Sequence, residues 1–168
     1  MGMTPEIYLE AFVEANANDC SDSPGDVRRA FNAAVAASHF ADHFYAYAKR
    51  HNHGVVSQFV TMSSFLEHLS RATAGAFQDI RSIANAYKHL YTDVGAGSTY
   101  CTVSSAGSID SVEIADDEHI ESITEAFLDN SAVNGQRYTV LFKRKDGTSG
   151  EFLPTLEKVI DHFWSMLN

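Results

Sequence analysis

The sequence predicts an α+β fold that is mainly α, a helical bundle with a small antiparallel β-sheet and a C-terminal helix packed on it. Three observations carry that expectation. Apolar residues recur at helical spacing between Tyr8 and Leu90. Alternation with a period of two takes over at Tyr138, Val140 and Phe142. A final helical stripe then runs through Leu156, Val159, Ile160, Phe163, Trp164 and Leu167. The length of 168 residues fits a single domain, 1–168, built as a helical bundle over 1–93 and a β-element plus helix over 94–168.

The elements follow in order. Pro5 after Thr4 suits a helix N-terminus, so a first helix is expected to about Asn16, with Tyr8, Leu9 and Phe12 on its apolar side. A turn cluster covers 19–25, and Ser23-Pro24 is expected to open a long second helix to about His51. Phe31, Val35, Phe40, Phe44, Tyr45 and Tyr47 make that helix apolar nearly all round, the pattern of a central bundle helix. His51-Asn52-His53-Gly54 reads as its stop, and 55–60 as a short helical turn. Ser64-Phe65-Leu66-Glu67 matches a capping box for a third helix carrying Phe65, Leu66 and Leu69. After Gly75, a fourth helix is expected over 76–91, with Phe77, Ile80, Ile83, Tyr87 and Leu90 toward the core.

The character changes beyond Leu90. Residues 95–98 read as a linker, 99–104 and 108–114 as strands, and the acidic stretch 116–129 as a helix. Asp146-Gly147 is a favoured two-residue hairpin turn leading into a strand over 149–153. Pro154 then opens the last helix, anchored by Phe163 and Trp164.

Composition narrows the function classes. A hydrophobic fraction of 45% and an aromatic fraction of 11% fit a packed core. The formal charge of −10 opposes a broad nucleic-acid-binding surface, which needs clustered Lys and Arg. The longest apolar-rich stretch, 31–48, is broken by Asn32, Ser38, His39, Asp42 and His43, so no membrane span is expected. The N-terminus lacks a signal-peptide pattern, and Cys20 and Cys101 sit in neither a CxxC nor a zinc spacing. The expected location is therefore the cytoplasm, a reducing compartment. P-loop, GxGxxG, GxSxG and HExxH motifs are lacking, and no cofactor is expected.

The best candidate site is a polar stripe on the fourth helix. Helical spacing puts Arg81, Asn85, Lys88 and His89 on one side, opposite Ile80 and Ile83. A guanidinium and an ammonium suit anions, an amide orients, and an imidazole moves protons near neutral pH. The same pattern also describes an ordinary solvated helix face, with Lys88 and His89 well placed for the helix dipole.

A second cluster lies on the long helix. His39 and His43 are spaced i, i+4 and project from one face, with Asp42 nearby. Two histidines are an incomplete divalent-metal site, so they are weak metal candidates that need His89, His68 or Glu67 to complete them. A metal-free contact with the stripe is the stronger expectation, with Asp42 and Arg81 as a bidentate pair. His51 and His53 flank a helix end and should be exposed, while His119 and His162 have no partner legible in the sequence.

The segment from Asp79 to Leu90 resembles a signature of bacterial helical proteins without an established activity. In that group an Arg-x-x-Ala-Asn-x-x-Lys-His pattern follows an upstream His-x-x-Asp, matched here by His39-Phe40-Ala41-Asp42. More distantly, the helical half resembles HEPN domains. That resemblance implies a metal-independent RNase whose catalytic pair would be Arg81 and His89, assembled across a homodimer. The spacing in this chain is seven intervening residues, against four to six in that family, and Ser82 stands where an Asn, Asp or His is usual.

Two functional expectations result. The first is a non-enzymatic binding protein whose groove, formed by His39, Asp42, Arg81, Asn85, Lys88 and His89, takes an acidic partner or small anion. The second is the HEPN-like nuclease, and a divalent-metal-binding helical protein is a third.

Overall fold

The computed structural model describes residues 2–90, 101–114, 132–133 and 136–167. The expected linker at 95–98 and helix at 116–129 lie outside the described residues.

Helix α1 (Pro5–Tyr8) starts at Thr4, whose hydroxyl accepts from Ile7 N, and runs through a π-helical turn (Leu9–Glu14) into α2 (Ala15–Ser21). This first helical run therefore passes the expected end at Asn16, whose side-chain amide donates to the carbonyl of Phe12 at 2.7 Å. Leu9 and Val13 turn inward and are fully buried. The long helix α3 (Val27–Arg50) begins later than Ser23-Pro24 suggests. Asp26 is its cap, accepting from the backbone of Arg28 at 2.9 Å and Arg29 at 3.2 Å, and two orphan donors are thereby satisfied. Asn52, in the left-handed region at φ 55°, ends it.

Short α4 (Gly54–Ser57) leads to α5 (Met62–Ala72). The capping box lies three residues earlier than the Ser64–Glu67 reading. Thr61 and Ser64 exchange the reciprocal bonds, because a serine hydroxyl at N3 does the work expected of a glutamate. Ala74 at φ 52° and Gly75 at φ 89° then form a tight corner before α6 (Ala76–His89). Gly75 N donates to Ser70 O at 2.7 Å and Ala74 N to Arg71 O at 3.1 Å, a Schellman pattern. Thr73 joins the two helices: its hydroxyl donates to Leu69 O at 2.8 Å and accepts from Phe77 N at 3.0 Å.

On α6, Phe77, Ile80 and Ile83 are fully buried as expected, but Tyr87 and Leu90 are 53% and 59% exposed. Tyr87 stacks on Phe31 of α3 at 4.8 Å.

A small antiparallel sheet follows, in keeping with the α+β, mainly α reading. It comprises β1 (Ile109–Ile114), β2 (Ala132–Val133), β3 (Gln136–Lys143) and β4 (Ser149–Glu151). Strand β1 lines one edge of β3, from Ile109 opposite Phe142 to Ile114 opposite Arg137. The other edge takes β2 at one end and β4 at the other. Residues 101–104 are irregular where a strand was expected, and a 3-10 turn (Ala106–Ser108) precedes β1. The Asp146-Gly147 hairpin has a three-residue loop in place of two. Arg144 N donates to Thr148 O at 2.8 Å, Gly147 N donates to Arg144 O at 3.0 Å, and Gly147 sits at φ 89°.

Helix α7 (Phe152–Leu167) begins two residues before Pro154, which a first turn accommodates because its N–H groups lack helical partners anyway. Its Leu156, Val159 and Phe163 are fully buried, and Phe163 packs on Phe40 of α3 at 4.3 Å and edge-on to Phe77 of α6 at 6.1 Å. Trp164 is half-buried and donates to Glu14 at 2.8 Å. No helix among the described residues is long and apolar enough to cross a membrane.

Candidate functional site

Helix α6 lies between α3 on one side and α5 on the other, and the polar stripe divides between them. On the α3 side, Arg81 Nη1 donates to Asp42 Oδ1 at 3.4 Å. That is one long contact, not the expected bidentate pair. About two turns further along α6, Lys88 Nζ lies 3.0 Å from His39 Nε2. An ammonium only donates, so His39 accepts there and carries its ring proton on Nδ1.

On the α5 side lies a cleft of about 500 Å³. Its α6 wall is Gln78, Arg81, Ser82 and Asn85, and its α5 wall is Ser63, Leu66, Glu67, Ser70 and Arg71, with Phe77 behind and Cys101 at one end. Both walls follow from helical spacing, since residues three and four apart share a face. The α5–α6 corner at Thr73 fixes how the walls open. Ser82 is 2% exposed, and its hydroxyl accepts the backbone N–H of Thr102 at 2.9 Å, which holds the Cys101 segment against the cleft. The carbonyl of Thr102 in turn accepts from Lys145 N at 2.8 Å, so the β-hairpin buttresses the same segment.

Arg81 is shared by both sides. Of its five N–H donors, the contact with Asp42 uses one, weakly. Among the described residues, the side chains of Asn85, Arg71 and Glu67 have no hydrogen bond or ion pair. The cleft thus presents two guanidinium groups and an amide with donor capacity to spare.

The expected site residues therefore separate. Arg81 and Asn85 line the cleft, and Asp42 reaches it through Arg81. His39 and Lys88 engage each other outside it. His89 is exposed, makes no contact among the described residues, and stands about 12 Å along the helix axis from Arg81. Arg71, Leu66 and Ser82 were not among the site residues expected from the sequence. Yet 63, 66, 67 and 70 on α5, and 78, 81, 82 and 85 on α6, repeat at the spacing of a helix face.

The weak metal candidates face different neighbours. His39 meets Lys88, while His43 stacks on Tyr8 at 5.1 Å and borders a more open hollow of about 620 Å³ beside Tyr47 and Arg50. His43 Nε2 is buried without a hydrogen-bond partner among the described residues. Among the described residues no group of three or more His, Cys, Asp or Glu side chains is placed to hold a metal ion.

A second aspartate–arginine pair, invisible in the sequence pattern, lies on the opposite face of α6. Asp79 is 3% exposed and receives Arg144 Nε at 3.1 and 3.0 Å and Nη2 at 2.7 Å. Arg144 also donates to Thr148 Oγ1 and to the carbonyl of Ser149, both at 3.2 Å, and lies 4.9 Å over the Phe142 ring. The hydrogen bonds that Arg144 donates to Asp79 raise the Arg144 pKa, with the Asp79 charge adding to them against the cost of burial. Gly150 makes room for this stack, because a Cβ there would meet the Phe142 ring at 2.5 Å and Arg144 Nη2 at 2.9 Å.

No family model, curated protein or solved structure matches this chain.

Proposed function

We propose that this protein is a binding protein for a small anionic ligand, held in the α5–α6 cleft by Arg81 and Asn85. The observation that carries this reading is the partial commitment of Arg81, which spends one long hydrogen bond on Asp42 while it lines the cleft. Asp42 acts as a positioning residue that keeps the guanidinium from collapsing onto the surface. The volume lies within the range of roughly 300–1,000 Å³ typical of small-ligand pockets. Both cysteines are unpaired, which supports placement in a reducing compartment, the cytoplasm.

The test is thermal melting and calorimetry with small carboxylates and inorganic phosphate. A binding anion raises the melting temperature in a concentration-dependent way, and Arg81→Ala abolishes the rise. If no anion produces a shift, the reading fails. The HEPN-like nuclease reading makes a separate prediction: cleavage of single-stranded RNA that is lost in His89→Ala. Binding of an anion without such cleavage leaves the binding protein as the account.

A further inference from the structure

We infer that the ligand of this cleft is a monocarboxylate with an apolar body, and not a bare inorganic ion or a phosphate dianion. The inference rests on the anion-binding reading and narrows it. Three observations support it.

The first is size. A water molecule takes about 30 Å³ of liquid, so an ion of four or five heavy atoms needs on the order of two or three such volumes. The cleft holds about 500 Å³, several times more than that. The rest of the space leaves room for a body.

The second is the lining away from the head group. Leu66 is half-buried on the α5 wall with Phe77 behind it, and the stems of Glu67 and Arg71 flank them. Two of the hydroxyls nearby are already engaged: Ser82 accepts from Thr102 N at 2.9 Å, and Ser70 donates to Leu66 O at 3.0 Å. The Leu66 and Phe77 surface within that wall would be covered by hydrocarbon.

The third is charge. Two carboxylates stand among the two guanidinium groups, Asp42 at 3.4 Å from Arg81 and, without an ion pair among the described residues, Glu67 one helical turn from Arg71. Their negative field opposes a dianion more than a monoanion, and a single carboxylate fits the spare fork of Arg81 with the Asn85 amide beside it. The body then lies across Leu66 toward Cys101.

Calorimetric titration of the purified protein against 3-phenylpropionate, octanoate, acetate, inorganic phosphate and 3-phenylpropanol tests this. The expected order places 3-phenylpropionate or octanoate at least about tenfold tighter than acetate, since each buried methylene contributes about 0.8 kcal/mol and 1.4 kcal/mol is tenfold. The same acid should bind at least about tenfold tighter than the neutral alcohol, because a hydrogen bond to a charged group contributes about 1.5–3 kcal/mol. Leu66→Ala should weaken the long acids by a larger factor than acetate; circular dichroism confirms that the variant is folded. Which long acid wins decides between an aromatic and an aliphatic body. Equal affinity for acetate, phosphate and the long acids would overturn the apolar body while leaving the anion site standing. Equal affinity for acid and alcohol would overturn the anionic head. Binding of none of the anions would overturn the anion site itself, and with it this inference.

Discussion

The two aspartate–arginine pairs on α6 make opposite use of the same chemistry. Asp79 and Arg144 meet through three N–H contacts of 2.7–3.1 Å, with the carboxylate 5% and the guanidinium 26% exposed. Asp42 and Arg81 meet through one contact of 3.4 Å, at 46% and 33% exposure. A buried bidentate pair is costly to break because the surviving charge stays desolvated. A half-exposed pair with one long contact contributes about 0–1 kcal/mol. The first pair ties the β-hairpin to the bundle. The second leaves a guanidinium oriented and largely unspent, the condition a binding site needs.

The sharpest way to break this contrast is to remove each arginine. Arg144→Leu should cost about 3–5 kcal/mol by stranding the Asp79 carboxylate. At about 2–4 °C per kcal/mol for a chain of this size, the melting temperature should fall by at least roughly 6 °C. Arg81→Ala should move it by less than about 4 °C, since no buried charge is stranded. Equal losses would erase the distinction between clamp and site.

An intermediate effect is expected at the corner that sets the cleft. Thr73→Val keeps the shape but removes both hydroxyl bonds, to Leu69 O and from Phe77 N. A loss of about 1–2 kcal/mol by chemical denaturation is expected, together with weaker ligand binding.

Acid should act on the packing around His162. Burial lowers the His162 pKa, and the positive field of His68 lowers it further, while His162 Nε2 has no hydrogen-bond partner among the described residues. A histidine whose folded value lies below its unfolded one is held neutral. Its contribution is therefore complete above the unfolded value of about 6.5 and is lost as pH falls through that value toward the folded one. Melting temperature plotted against pH should fall on this acid limb, and His162→Leu should flatten it.

The smallest effect is on the thiols. Burial, reinforced by the Asp26 charge and partly offset by Arg29, pushes the Cys20 thiol up to about 12, and Cys20 is fully buried. Cys101 is half-buried at the end of the cleft. A disulfide reagent should label one thiol per native chain, Cys101, and a bound carboxylate should slow that labelling.

Much of the fold was legible because it rests on periodicity. The central role of α3 was written in its aromatic and alanine positions, and the stop at Gly75 in a residue suited to φ 89°. What escaped depends on contacts between distant segments. Nothing in the sequence marks Asp79 as the partner of Arg144, 65 residues away, and an aspartate in an amphipathic helix reads as solvated. Serine at N3 disguised the Thr61 capping box, since Glu67 offered the more familiar pattern. The site was half legible. The stripe identified Arg81 and Asn85 and suggested Asp42, but it merged two sides of α6 into one, and so joined His39, Lys88 and His89 to a cleft they do not line. The α5 wall could have been found by asking which helix carries a matching small and polar face. Ser63, Leu66, Glu67 and Ser70 supply it.

The central claim is that Arg81 is held in place for a ligand and not for stability. Melting curves of the native protein and of Arg81→Ala, each with and without 3-phenylpropionate, test it most directly. The account predicts nearly equal melting temperatures without ligand, a rise on ligand addition in the native protein, and no rise in the variant. A variant that melts far lower without ligand, or that keeps the full ligand-induced rise, would contradict it.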